Sequence, residues 1–229
     1  MFKQLFLMLK SNTLMDQAYK RSYQMLDITH KMFIKAKSSL RESESVVPEL
    51  DVSEMDIKVN RFERKVRRKI FRHLAVAGAE NIYSSLVLIS IIIDIERVGD
   101  YTKNIVELAA NYPSQLILDK GEEDLKKIES AIEDQLRRVR NDFETGDAND
   151  AEKLLREYIW INPLCDEKVM SLIKREDHDI STGKAVTLAL YYRYLKRINA
   201  HLQNVATSLV NPFDKIGFLP KEIRKELNK

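Results

Sequence analysis

Apolar residues recur at intervals of three and four along almost the whole chain, the spacing of helices that bury one face. Leu14, Ala18, Met25, Leu26, Met32 and Phe33 predict a first helix over residues 12–41. The polar run 42–50 predicts a loop, in which Pro48 pushes Val47 towards extended backbone. Asp51 or Ser53 is placed to cap a second helix, with Glu54 and Asp56 in a first turn where the helix dipole favours acids. That helix runs to about Ala77, where Gly78 ends it, and a third runs from about Ser84 to the residue before Tyr112-Pro113. A second set follows. One helix spans the stretch between Gly121 and Gly146, and Asp147 or Asn149 caps the next, which kinks or restarts at Asn162-Pro163. After a break over 179–183, the last long helix covers 184–210 and stops at Asn211-Pro212, and the tail holds a short helix after Pro220.

The two sets align with each other, the signature of an internal repeat. Glu96-Arg97-Val98-Gly99-Asp100 matches Lys196-Arg197-Ile198-Asn199-Ala200 without gaps, and Asn104-Ile105 matches Asn204-Val205, all at an offset of 100. Upstream the offset is 110: Asp56-Ile57-Lys58-Val59 matches Asp166-Glu167-Lys168-Val169, and Phe33 matches Phe143. The difference predicts a connection about ten residues longer between the second and third helices of the first half. The fold expected is all-α, two antiparallel three-helix bundles in tandem. Residues 1–113 form the first repeat, 114–212 the second and degenerate one, and 213–229 a C-terminal tail.

Composition sharpens this picture without changing it. With 229 residues the chain can bury a sizeable core; 32% charged residues, 6 Gly and 5 Pro point to helix rather than to loops or disorder. The net charge of +3 decides little about partners. A single cysteine, Cys165, excludes an internal disulfide and fits a reducing compartment. The apolar run before Lys10 is too short for a signal peptide, and the longest other run, 86–93, is interrupted by Asp94. A soluble, cytoplasmic protein is expected.

Candidate chemistry lies in two rows of oxygen-bearing side chains. Glu96, Asp100 and Asn104 are four apart on one face of the third helix; Asp56, Asn60 and Glu63 share a face of the second. Acids at i, i+4 repel, and a bound cation reverses that sign. Gly99 costs about 1 kcal/mol against Ala in a helix interior, and implies a neighbouring backbone or ligand close by. Three readings fit the rows: a solvated stripe beside Lys103, a polar network with Arg61, Arg64 and Arg97, or ligands for iron, manganese, magnesium or zinc. His30, three residues after Asp27, reads as an exposed or capped side chain; His73, His178 and His201 have no helpful companion. No Glu-x-x-His pair, phosphate loop or activated nucleophile appears, so no enzyme is expected. Helix two carries Lys58, Arg61, Arg64, Lys65, Arg67, Arg68, Lys69 and Arg72; their spacing surrounds the helix, which favours a solvated face over a nucleic-acid stripe. Trp160, Tyr191, Tyr192 and Tyr194 read as core or interface aromatics.

The run Asp94-Ile-Glu-Arg-Val-Gly-Asp-Tyr-Thr-Lys-Asn-Ile105 resembles the signature helix of the PhoU family, helical regulators of phosphate uptake, whose pattern is Glu-Arg-apolar-Gly-Asp followed by Asn-Ile. Asp56-x-x-x-Asn60-x-x-Glu63 resembles the helix that faces it. The resemblance implies that Glu96, Asp100, Asp56, Asn60, Glu63 and Asn104 hold a divalent or transition metal. It also implies a regulator of phosphate transport and phosphate-starvation signalling that docks, as a homodimer and without turnover, on a phosphate transporter subunit or a sensor histidine kinase. The second half departs from the pattern: Lys196 replaces the Glu, Ala200 the Asp, and Met170 stands at the position of Asn60. Its metal site is therefore expected to be lost, with Lys196 neutralising Asp166 in place of a cation. The alternatives are a helical nucleic-acid-binding regulator and a carboxylate-bridged metal enzyme.

Overall fold

The computed structural model describes residues 13–42, 49–77, 81–176 and 179–227, and among these there is helix but no strand. Thr13 starts α1 (Leu14–Arg41) with a capping box: its hydroxyl accepts from the Asp16 amide at 3.1 Å, and its own amide donates to the Asp16 carboxylate at 2.9 Å. Next come α2 (Glu49–Ala77) and α3 (Ile82–Asn111). Because α2 already begins at Glu49, Asp51 and Ser53 lie inside it and do not cap it; Asp51 instead pairs with Lys35 of α1. The loop at Val47-Pro48, the stop at Gly78, His178 and the N-terminal segment 1–12 lie outside the described residues.

In the second half α4 (Glu122–Thr145) is bounded by Gly121 and Gly146, both left-handed, with φ of 79° and 71°. Asp147 caps α5 (Ala148–Glu157), accepting from the amides of Asn149 and Asp150. After the turn at 158–160 the helix restarts as α6 (Ile161–Lys174). Pro163 falls in the first turn of α6, where no intrahelical partner for its missing N–H is needed. Ser181 caps α7 (Thr182–Val210), and α8 (Lys221–Leu227) follows Pro220.

Helices α1, α2 and α3 pack around one another; α4, α7 and the broken pair α5–α6 form the second bundle. The bundles meet along α3–α7 and α1–α4, and their apolar stripes merge into one continuous core, from Leu26 and Phe33 through Ile95 and Val98 to Tyr191 and Leu202. Tyr191 and Tyr192 are buried in it, and Tyr19, Tyr23 and Phe143 form an aromatic cluster between α1 and α4.

The ten residues by which the halves differ are helical, not a longer loop. In the repeat alignment the end of α6, Lys174, is equivalent to Arg64, and α2 continues a further 13 residues to Ala77. The chain leaves α6 through Arg175, left-handed at φ 57°, whose amide donates to the Leu172 carbonyl at 3.1 Å. A groove of about 470 Å³, bordered by Leu172, Ile180, Leu188 and Tyr192, lies beyond that end, at the level where α2 continues in the first half.

Candidate functional site

The two oxygen rows face each other across the antiparallel α2–α3 pair. Asp56 lies near Asp100, and Glu63 near Glu96, so four carboxylates share one groove. Gly99 lies beside these carboxylates, but the packing does not require a glycine. A Cβ there would stand 3.7 Å from Thr29 and Val59 side chains and 3.8 Å from Asp56 Oδ1, which is ordinary contact. The protein atoms nearest Gly99 are thus side chains of α1 and α2, and of the two neighbours expected, a backbone or a ligand, the backbone is not among them.

Asp56 is buried, and Asn60 donates to its Oδ2 at 3.2 Å. That leaves Asp56 Oδ1 and Asn60 Oδ1 buried with no donor to meet them, which is costly for acceptors shut away from water. Burial, followed by repulsion from Asp100, raises the Asp56 pKa; Lys103 and Asn60 oppose the rise. Burial also pushes Glu96 up to about 7, with Asp100, Glu63 and Asp56 adding to the effect and Arg97 opposing it. Arg97 reaches Asp100 at 2.6 Å and Glu96 at 3.6 Å, while Arg67 holds Glu63 at 2.7 Å. Arg61 and Arg64 take no part in this pairing; Arg64 donates to the Asn60 carbonyl. Asn104, half-buried, follows one turn beyond Asp100.

As the side chains stand, no three Asp, Glu, His or Cys groups among the described residues converge on one point. The donor set nonetheless fits a hard cation: it is all oxygen, two of its buried acceptors lack donors, and its acids repel one another.

Residues 23–109, which contain both rows, match the family model of the PhoU domain. Over that segment the chain is similar to a PhoU domain. The likeness of fold extends further, over both bundles. The crystal structure of PhoU from Pseudomonas aeruginosa superposes with a TM-score of 0.73 at 19% identity, covering 86% of this chain and 95% of that one. The phosphate transport system regulatory protein PhoU from Streptococcus pneumoniae gives 0.73 at 16% identity, covering 96% and 100%. No curated protein matches the chain.

Outside the matched PhoU segment, the positions equivalent to the acidic rows are built differently. Lys196 pairs with Asp166, and Arg193 stands 3.8 Å from the same carboxylate. Met170, in the place of Asn60, is exposed. Asn199, in the place of Gly99, is fully buried; it accepts from Gln135 at 2.7 Å and donates to Asn162 at 2.9 Å. A salt bridge and an amide chain thus occupy the ground that two acidic rows occupy in the matched segment.

Reading the sequence missed the polar joint between the bundles. His201 Nδ1 lies 2.8 Å from Asp94 Oδ1, Asn204 donates to the same oxygen at 2.8 Å, and His201 stacks on Tyr101. Its signal was present in the repeat. At an offset of 100 Asp94 corresponds to Tyr194 and Tyr101 to His201, so the Asp94–His201 contact is mirrored by Tyr194 against Tyr101, ring centres 6.1 Å apart. His30 has no use for Asp27, whose carboxylate is taken by Arg140 of α4 at 2.9 Å; burial lowers the His30 pKa. Cys165 is buried, which pushes its thiol up to about 12, far from the range of a nucleophile at neutral pH.

Proposed function

We propose that this protein is a PhoU-type regulator of phosphate transport and phosphate-starvation signalling, working by docking and without turnover. The observation that carries the reading is the pair of donorless acceptors, Asp56 Oδ1 and Asn60 Oδ1, set among four carboxylates inside the matched PhoU domain. When bound, a divalent or transition metal supplies positive charge that relieves this repulsion and cross-links α2 to α3. Asp56, Asn60 and Glu63 hold it from α2; Glu96, Asp100 and Asn104 hold it from α3, and Arg97 turns outwards. The groove gains rigidity, and the α2–α3 pair presents one shape to a phosphate transporter subunit or a sensor histidine kinase in the cytoplasm. The chain acts as a homodimer. Only the first half binds metal, since Lys196 provides the second half with a built-in cation for Asp166.

Metal analysis by mass spectrometry, on protein purified without chelator or affinity-column metal, tests this reading. One metal is expected per chain in the wild type, and none in a folded Glu96→Ala, Asp100→Ala variant. Metal retained by the variant would remove the acidic rows as the site, and two metals per chain would refute the role given to Lys196. The regulatory part is tested by deleting the gene and following a phosphate-starvation reporter, which should switch on in phosphate-rich medium.

A further inference from the structure

The stretch of α2 from Ile57 onwards, whose last 13 residues extend past its counterpart in the second bundle, carries an unusual surface. From Ile57 to Ala77 the helix holds eight Lys and Arg against one acid, Glu63, although the whole chain nets +3. The basic residues do not surround the helix as their spacing suggested. Lys69 turns in to Gln17 and Arg67 to Glu63, whereas Arg61, Arg64, Lys65, Arg68 and Arg72 are exposed and meet no carboxylate among the described residues. At 3.6 residues per turn these five fall on the outward half of the helix, opposite the buried Val59, Val66 and Ile70. Large apolar side chains stand bare beside them. Phe71 is 73% exposed and Val76 86%, and Ile82 and Leu86 are exposed at the same end of the bundle, where α3 begins.

Unpaired cations flanked by projecting apolar tips on one helix face are the composition of a helix that lies on an anionic bilayer. The cations are drawn to acidic headgroups, and Phe71 and Val76 enter the boundary between headgroups and acyl chains. We propose that the outward face of α2 is a docking surface for an anionic lipid membrane. Charge complementarity alone would equally suit a nucleic acid, but Val76, Ile82 and Leu86 offer a phosphate backbone nothing and a bilayer a foothold. No helix among the described residues is long and apolar enough to cross a membrane, so the attachment is peripheral. This inference does not depend on the metal site.

The test is flotation of the full chain with vesicles of pure phosphatidylcholine and with vesicles of equal parts phosphatidylcholine and phosphatidylserine. Binding is expected to the mixed vesicles, not to the neutral ones, and to weaken as salt is raised. The triple variant R61E/R68E/R72E should lose at least about a hundredfold in affinity, since each basic residue near such a surface contributes several-fold. The variant F71S/V76S should weaken binding to the mixed vesicles while leaving the salt dependence in place. All five positions are exposed, so each variant should keep the circular dichroism and melting curve of the wild type. Reversing Lys153, Lys221 and Lys225 on α5 and α8 makes the same change in net charge and should leave binding as it was. The proposal is overturned if the mixed vesicles are not bound, or if this control weakens binding as much as the triple variant. Duplex DNA bound as tightly as vesicles, with no response to F71S/V76S, would overturn it in favour of a nucleic-acid surface.

Discussion

Asp142 shows how much a single residue can hold that spacing does not reveal. It belongs to the apolar face of α4, it is 1% exposed, and neither carboxylate oxygen meets a donor. Its neighbour Asp150 is clamped by Arg138 through two bonds of 3.0 and 3.1 Å, and Asp147 caps the adjoining helix. Burial, then the charge of Asp150, push Asp142 up to about 7; Arg138 opposes and Asp147 adds. The folded protein therefore binds a proton here that the unfolded chain, with an ordinary carboxyl near 3.8, releases. Stability from this group is full below the unfolded value and is lost as pH rises through the window from about 4 to about 7. Asp142→Asn keeps the shape of the protonated acid and removes the titration. Urea midpoints of wild type and variant should nearly coincide at pH 4 and separate in favour of the variant by pH 8. A gap that is constant across pH would show that Asp142 is ionised throughout. Glu96, Asp100 and Asp56 were legible in the sequence because a row at i, i+4 is local. Asp142 was not, because its partner lies across the turn between α4 and α5.

At the scale of elements, periodicity located the long helices closely, and the end signals that worked were those with a local chemical cause: Gly146, Asp147, Asn211. The misplacements also have a cause. An alignment offset fixes how many residues separate two matched segments but not their conformation, so ten residues of helix read as loop. The hydrophobic pattern in that extension settles the matter. Val66 and Ile70 are fully buried against the first bundle, while Phe71, one residue on, points away. Ile70→Ala should cost about 2–5 kcal/mol by the loss of packed methyl groups and the cavity left behind. Phe71→Ala should fall within about 0.5 kcal/mol of wild type, as a surface change away from core or cap. Chemical denaturation of the two variants checks both. A large loss at Phe71 would mean that this side chain is covered, which would count against the free surface of α2 as well.

The whole molecule is held together by contacts that join residues 60 to 110 positions apart, and no periodic pattern announces them. The tightest is a buried charge cluster where the bundles meet. Arg41, the last residue of α1, is 8% exposed and reaches Glu129 of α4 at 2.9 Å; it also holds Glu122 and the Leu116 carbonyl of the connecting segment. Tyr191 of α7 donates to the same Glu129 at 2.8 Å from a fully buried position. Glu129 illustrates the balance: burial raises its pKa, and Arg41 with the Tyr191 hydroxyl holds it down. Replacing both partners of such a pair by apolar groups is often near neutral, whereas removing one leaves an uncompensated buried charge. Arg41→Met should therefore cost about 3–5 kcal/mol, and Arg41→Met with Glu129→Leu clearly less, despite the second change. Because the core is continuous across α1–α4 and α3–α7, the damage should lower one shared calorimetric transition instead of splitting off either bundle. A double variant as unstable as the single would place the cost in lost packing of the Arg41 stem. Two separated transitions would mean that the bundles meet through this cluster more than through their shared apolar core.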